Sequence, residues 1–260
     1  MTKIYYFSGT GNSLWSARKI AQLIGGECEL KNIGVEARNT NPVIEAQAVV
    51  FVFPSYAFGL PLVVSRFIKS AVFKSGYAAS FVTFGSTPGG TLGQIRRLLK
   101  KKGIPKLYFG KIPSVENYLA IFGPPKESTL IRRIAMQEKA TEIAGQAVQS
   151  RAENKACTFT PFSSFVLFLF SLGVKIFYKM YKVASSCNGC GICCKICPVN
   201  AVIMKDGKPV FTKGCEHCQS CVNICPQRSI GFARVKPGSP GYIRPEIEIK
   251  DLIAGSSCPV

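Results

Sequence analysis

The residues with the most specific chemistry are cysteines. The chain has 260 residues and 12 cysteines, and nine of these lie between Cys187 and Cys225. Eight of the nine form two runs of one spacing: Cys187-x2-Cys190-x2-Cys193-x3-Cys197-Pro198 and Cys215-x2-Cys218-x2-Cys221-x3-Cys225-Pro226. The runs match at every cysteine and at the proline, 28 residues apart (215 − 187), so the segment is an internal duplication. Two [4Fe–4S] clusters are held at this spacing, the fourth cysteine of each run ligating the other cluster. Three thiolates from one tight loop hold three irons at one face, and the fourth iron takes its thiolate from the far half. The predicted ligand sets are Cys187, Cys190 and Cys193 with Cys225, and Cys215, Cys218 and Cys221 with Cys197. Zinc on paired C-x2-C hairpins is the competing reading, but zinc requires neither the third cysteine nor the C-P pair, twice over. Gly189 and Gly191 suit tight turns whose amides point at sulfide. Cys194 reads as a free buried thiol, with an alternative ligand to a damaged cluster as its other reading. His217 reads as an outer-shell or surface residue, and the isolated Cys28, Cys157 and Cys258 as structural or incidental.

A second constellation stands near the N-terminus. Ser8-Gly9-Thr10-Gly11-Asn12-Ser13 follows an apolar run rich in β formers (Lys3 to Ser8) and opens a helical pattern. The unpaired N–H groups and positive dipole end of a helix N-terminus favour a phosphate dianion. The loop is not a P-loop, because G-x-x-x-x-G-K-[ST] is absent, and it lacks the third glycine of the dinucleotide fingerprint.

These residues need elements to hold them. Asn12 to Ile24 carries Leu14, Ala17, Ala21 and Ile24 at helical spacing. Ala48 to Phe53 is a continuous apolar run closed by Pro54, as in a strand buried on both faces. Pro61 to Val72 reads as a helix with Pro at its start, Ala79 to Phe84 as a strand, Thr91 to Lys102 as a helix ended by Gly103, and Lys106 to Ile112 as a strand. Ser128 to Arg151 reads as a long helix with Leu130, Ile131, Ile134, Ile143, Ala144, Ala147 and Val148 inward. Residues 27 to 33 form a further, weaker strand. Such alternation predicts a parallel sheet with helices on both faces.

The N-terminal half resembles flavodoxin: Ser8 to Ser13 is similar to the loop that wraps the FMN phosphate in that family. The resemblance implies an α/β doubly wound parallel sheet of order 2-1-3-4-5, with the ligand beyond the carboxyl ends of the strands. It implies that the two loops after the third and fourth strands flank the flavin ring. They are Pro54-Ser55-Tyr56-Ala57-Phe58-Gly59 and Gly85-Ser86-Thr87-Pro88-Gly89-Gly90. Tyr56 and Phe58 become the stacking candidates, with Pro54 and Ser55 beside them. Gly85, Ser86 and Gly89 would bring backbone to the ring edge, and Asn117-Tyr118 would also face the site. The whole chain resembles the flavodoxin–ferredoxin fusion proteins. That likeness implies residues 1–152 as the FMN-binding domain, 153–184 as an apolar and basic linker helix, 185–235 as a small α+β two-cluster ferredoxin domain, and 236–260 as a tail.

The function expected is electron transfer, single electrons passing between two [4Fe–4S] clusters and a bound FMN. No acid–base residue stands out, so no catalytic residue is named. Two other readings use the same residues: a flavin-dependent reductase of a small acceptor such as a quinone or nitro compound, and an iron–sulfur redox switch suggested by the Cys193-Cys194 pair. Lys plus Arg number 33 and Asp plus Glu 14, a formal net charge of +19. Flavodoxins are usually acidic and dock on basic partners, so the resemblance does not carry those partners over to this basic chain, and the redox protein partner expected of it is left unnamed. No helix-turn-helix, zinc finger or RNP motif points to nucleic acid. The absence of an apolar leader after Met1-Thr2-Lys3 and the clustered cysteines imply a cytoplasmic, reducing location. The uncharged stretch Cys157 to Val174 carries Phe162, Phe165, Phe168 and Phe170. It reads as a linker helix packed between domains, with peripheral membrane contact through residues 162–182 as the alternative.

Overall fold

The computed structural model describes residues 1–154, 165 and 176–253. Five strands form the central sheet: β1 (Thr2–Tyr6), β2 (Cys28–Asn32), β3 (Ala48–Pro54), β4 (Tyr77–Phe84) and β5 (Lys106–Pro113). Their order is β2-β1-β3-β4-β5, and every neighbouring pair is parallel. This is the doubly wound 2-1-3-4-5 order.

The apolar sequences of β3 and β4 explain the layering. Ala48 to Phe53 are all buried, so both faces of the strand need cover. Helices α2 (Leu62–Ser70) and α3 (Thr91–Lys101) cover one face, packing Phe67, Ile95 and Leu99 on Phe51 and Phe53. Helices α1 (Asn12–Ile24) and α4 (Glu127–Gln149) cover the other, packing Leu14, Ile20, Ala144 and Val148 on Ile4, Val50 and Val52.

Two expectations need correction. The helix begun by Pro61 stops at Ser70, because Val72–Lys74 pairs instead as a short parallel strand with Val43–Glu45. On α4, Ile131 and Ile143 face solvent (66% and 53% exposed), while Gln137, Thr141 and Gly145 are buried with Ala144 and Val148. Hydrogen bonding decides that face. Gln137 Nε2 donates to the Asn12 carbonyl and to Ser16 Oγ, and Thr141 Oγ1 stands 3.1 Å from Ser16 Oγ. Gly145 leaves room for Leu23.

The cysteine region is a small α+β unit. Strand β6 (Tyr181–Val183) pairs antiparallel with β9 (Ile230–Phe232), and β7 (Val202–Lys205) forms a hairpin with β8 (Lys208–Phe211). Short helices α5 (Ile192–Lys195) and α6 (Ser220–Ile224) carry Cys193 and Cys221 at equivalent places of the duplicated runs. Tyr181 stacks on Phe211 at 4.1 Å, and both join Phe232 in the local core.

The segment after residue 236 returns to the sheet half. Arg244 is fully buried, its guanidinium 4.1 Å above the Trp15 ring and bonded to Gln137, Glu138 and Glu246. Ile247 joins the core beneath α1. Of the predicted linker helix over 153–184, residues 155–164, Cys157 among them, and 166–175 lie outside the described residues, as does Cys258, and Tyr181–Val183 is strand β6 rather than helix, because it pairs with β9. No helix among the described residues is long and apolar enough to cross a membrane.

Candidate functional site

The parallel strands deliver their loops to one end of the sheet, where a cavity of about 530 Å³ opens. Its walls come from Ser8–Thr10, Asn12 and Ser13 after β1, Pro54–Phe58 after β3, Thr83–Thr87 at the end of β4, and Ser114–Tyr118 after β5. Ile121, Phe122, Phe177 and His217 complete it. Ligand pockets are commonly about 300–1,000 Å³.

The loop after β1 is shaped for an anion. Among the described residues, no acceptor within the protein takes the N–H groups of Gly9, Thr10, Asn12 or Ser13. They surround the N-terminus of α1, where the dipole favours negative charge. Side chains hold the loop in place. Ser8 Oγ accepts from the Gly11 N–H, Ser13 Oγ lies 2.8 Å from Thr83 Oγ1, and Asn117 Nδ2 donates to Thr10 Oγ1 at 2.8 Å. Asn12 Nδ2 donates to the Val115 carbonyl, and its Oδ1 accepts from the Tyr242 hydroxyl.

The Tyr56–Gly59 turn is closed by hydrogen bonds in both directions at 2.9 Å, with Ala57 at φ 45° and Phe58 at φ 64°. Two consecutive non-glycine residues at positive φ are strained, a state usually kept where function needs it. The turn sets the Phe58 ring at the cavity, 39% exposed. Tyr56 also lines the cavity; its hydroxyl is buried with no hydrogen-bond partner, and its ring meets Phe7 edge-on at 6.1 Å. Burial, with Cys218 and Glu216 nearby, holds that hydroxyl well above the usual phenol range.

Of the predicted flavin-contact residues, Ser8, Gly9, Thr10, Asn12, Ser13, Pro54, Ser55, Tyr56, Phe58, Gly85 and Ser86 line the cavity, and so do Asn117 and Tyr118. Gly11 and Gly89 do not. Gly11, at φ 96°, faces the C-terminal segment, where a Cβ would stand 3.0 Å from Ile247 Cβ. Gly89 packs under the Phe58 backbone, which leaves no space for a side chain. Glu116 was not anticipated: its carboxylate accepts from the Asn117 and Tyr118 N–H groups and fills the space beside Gly85.

The cysteines gather in two groups. The cysteines that act electrostatically on Cys193 are Cys190, Cys225 and Cys187. Those acting on Cys221 are Cys218, Cys215 and Cys197, then Cys193. The chain path therefore brings Cys225 to the first run and Cys197 to the second. Cys187, Cys190, Cys193 and Cys225 wall a small cavity of about 20 Å³. Among the described residues, no group of three or more His, Cys, Asp or Glu is arranged to hold a metal ion. Burial pushes the Cys215 thiol up to about 11 and those of Cys193 and Cys218 up to about 12. Backbone N–H groups serve two sulfurs at matching positions: Ala201 donates to Cys197 Sγ at 3.1 Å and Ser229 to Cys225 Sγ at 3.3 Å. The Tyr181 hydroxyl lies 3.7 Å from Cys215 Sγ, and Ser220 Oγ 3.1 Å from Cys218 Sγ.

Two side chains depart from expectation. Cys194 is disulfide-bonded, not free, so it offers no spare thiol. His217 is not a surface residue: it is 1% exposed, among Phe177, Tyr181 and Phe232, and lines the large cavity.

The cavity and the second cysteine run share a wall. Ser220 Oγ donates to the Gly9 carbonyl at 2.8 Å, and a Cβ on Gly9 would stand 2.9 Å from the Cys218 carbonyl oxygen. Asn223 ties the same parts together: its Nδ2 donates to the Asn117 carbonyl, and its Oδ1 accepts from the Tyr242 N–H.

No protein-family model matches the chain, and no curated protein matches it. Solved structures align with little more than half of it. The Streptococcus pneumonia TIGR4 flavodoxin is 15% identical and covers 56% of this chain and 98% of its own, at a TM-score of 0.34. An FMN-dependent NADH-azoreductase from Bacillus anthracis str. Ames Ancestor is 8% identical, covers 57% and 100%, and scores 0.40. An NAD(P)H:quinone oxidoreductase from Methanothermobacter marburgensis is 11% identical, covers 60% and 98%, and scores 0.37.

Proposed function

We propose that this chain is an electron-transfer protein with FMN in the large cavity and two [4Fe–4S] clusters on the two cysteine groups. The shared wall carries the proposal: the anion-shaped loop at Gly9 lies directly against the cysteine loop at Cys218. Cofactors on the two sides would be neighbours. When bound, the clusters would supply one-electron steps and the flavin would join them to two-electron chemistry.

The donor set suits these groups. Four orphan N–H groups at the start of α1 would hold the phosphate, with the Ser8 and Thr10 hydroxyls beside them. Phe58 and Tyr56 would bound the ring. Cys197, Cys215, Cys218 and Cys221 would hold the inner cluster, next to the flavin. Cys187, Cys190, Cys193 and Cys225 would hold the outer one. Gly9 keeps the partition thin, and the Ser220 hydroxyl fixes the spacing across it.

The test is iron, acid-labile sulfide and FMN per chain on anaerobically prepared protein, with Thr10→Glu beside the wild type. The expected result is iron and sulfide sufficient for two clusters and about one FMN in the wild type. Thr10→Glu should keep the iron and lose most of the FMN, because a carboxylate there repels the phosphate. Zinc in place of iron, or full flavin occupancy in the variant, would overturn the assignment.

A second reading has one observation in its favour. The cavity mouth is apolar, with Phe58, Ile121 (73% exposed) and Phe122 (53% exposed) around it. Such a mouth suits a small aromatic acceptor. Saturable turnover with a quinone or nitro compound, lost on Phe122→Glu with flavin retained, would favour a reductase.

A further inference from the structure

Of the eight cysteines in the two runs, Cys190 alone is exposed. It lies in a loop set by Gly189 and Gly191, at φ 73° and 72°. The turn of the β7–β8 hairpin presses on that loop: a Cβ on Gly189 would stand 2.7 Å from the Gly207 carbonyl oxygen. Met204 and Pro209 of the hairpin wall the small cavity behind Cys190, and Lys205 and Lys208, which flank the turn that meets the Cys190 loop, are both exposed. Gln227 forms part of another wall, and its neighbour Arg228 is exposed, its N–H donating to the Cys225 carbonyl at 2.9 Å. Lys182, also exposed, lies on β6 opposite Gly231, next to Ile230 of the same cavity. Asp206, at the hairpin tip, is the acid among them. Among the described residues, none of the four cations is engaged in an ion pair.

We propose that this rim, Lys182, Lys205, Lys208 and Arg228 around Cys190, is the docking surface for an acidic one-electron carrier protein. The proposal rests on the cluster reading above and adds to it where electrons enter or leave. Three observations favour this end of the molecule. Three of the four inner cysteines are buried and only Cys193 of the outer four is, so the outer group presents more of itself to solvent. An exposed ligand sulfur offers the shortest path from a partner to that group. Four cations against one carboxylate create a positive field that speeds encounter with an acidic protein and orients it. Electron-transfer encounters need only small interfaces, below about 1,200 Å², so a convex rim is sufficient. Each encounter transfers one electron. The carrier, an acidic iron–sulfur protein, is oxidised by one electron as this protein is reduced by one, or the reverse, with no bond made or broken.

The experiment uses the full chain loaded with iron and sulfide, and a small acidic two-cluster carrier protein as the probe. Binding is measured by calorimetry at low and at physiological salt, with iron content and visible spectrum recorded for each sample. Lys205→Glu/Arg228→Glu is compared with Lys100→Glu/Lys101→Glu, which makes the same change in net charge on exposed positions of α3. The rim variant should weaken low-salt binding by at least about ten-fold and flatten its salt dependence, with iron unchanged, while the α3 variant binds as the wild type does. Equal weakening by both variants would reduce the effect to net charge and overturn the proposal. So would unchanged binding by the rim variant, including the case in which its midpoint potential moves, since the rim would then only offset cluster charge. Rim-dependent binding by a wild type that carries no iron would keep the surface and remove the cluster reading. Iron without rim-dependent binding would do the opposite.

Discussion

The two cysteine groups share one sequence pattern and have different surroundings. In the inner group, Cys197, Cys215 and Cys221 are 7%, 7% and 6% exposed, and the group lies against the flavin-sized cavity. In the outer group, Cys190 is exposed and Cys187 and Cys225 are half-buried. The matched features are those that the repeat itself dictates: the short helix carrying Cys193 or Cys221, and the backbone N–H four residues after Cys197 or Cys225. The unmatched features come from distant chain. Tyr181 reaches Cys215 from before the first run, and Gly9 meets Cys218 from more than 200 residues earlier in the chain. A duplicated motif thus copies the local placement of its cysteines, while burial and hydrogen bonding are set by what each copy packs against, and on the proposed reading these would tune each cluster differently.

The sharpest way to break the comparison is to test which cysteines belong together. Cys187→Ser and Cys197→Ser should each lose about half of the iron, because each removes a ligand from a different group. The double variant should lose nearly all of it. If the double variant keeps about half, the fourth cysteines are not exchanged, and inner and outer are wrongly composed.

A smaller effect is expected from Arg244, by which the C-terminal segment braces the loop at Thr10. The Arg244 backbone N–H donates to the Thr10 carbonyl, and its side chain is buried over Trp15 with Glu138 and Glu246 as ion partners. Arg244→Met should cost about 3 kcal/mol through lost hydrogen bonds and imperfect packing. For a chain of this size that lowers Tm by about 6–12 °C. Flavin release should move with the first loss of structure while the outer group keeps its iron, as followed by flavin fluorescence and visible absorption during heating. Loss of outer iron in step with flavin would make the molecule one cooperative unit and erase the contrast.

Much of this was legible in the sequence, for local reasons. The bounds of α1 follow from Leu14, Ala17 and Ala21 and from the glycines before it, and β3 from an unbroken apolar run, since each pattern lies within one element. The nearness of Cys225 to the first run, with which it walls the small cavity, follows the duplicated spacing, and its exchange with Cys197 as a ligand is what the double variant tests. The brace was not: Tyr242 and Arg244 occur in a segment without periodicity, and their partners, Asn12 and Gln137, are more than 100 residues away. The inward face of α4 was misjudged because Ile131 and Ile143 outweighed Gln137 and Thr141 in an apolar count. Burying those polar groups is tolerated only because Ser16 and the Asn12 carbonyl satisfy them. The role of His217 depended on three rings brought from separate elements.

The smallest predicted effect isolates one hydroxyl. Tyr181 stacks on Phe211 whether or not it carries its oxygen, so Tyr181→Phe keeps the packing and removes only the contact 3.7 Å from Cys215 Sγ. A hydrogen bond to a ligand sulfur stabilises the reduced, more negative state of a cluster and so raises its potential. A typical hydrogen bond contributes about 0.5–1.5 kcal/mol, so the inner potential should fall by about 20–60 mV for a one-electron couple. Among the described residues no hydroxyl lies against a sulfur of the outer group, and its potential should stay where it was. A redox titration that resolves the two clusters reads both at once. An equal fall in both would mean that the hydroxyl acts through the general field of the protein, and an unchanged inner potential would mean that its proton is directed away from the sulfur.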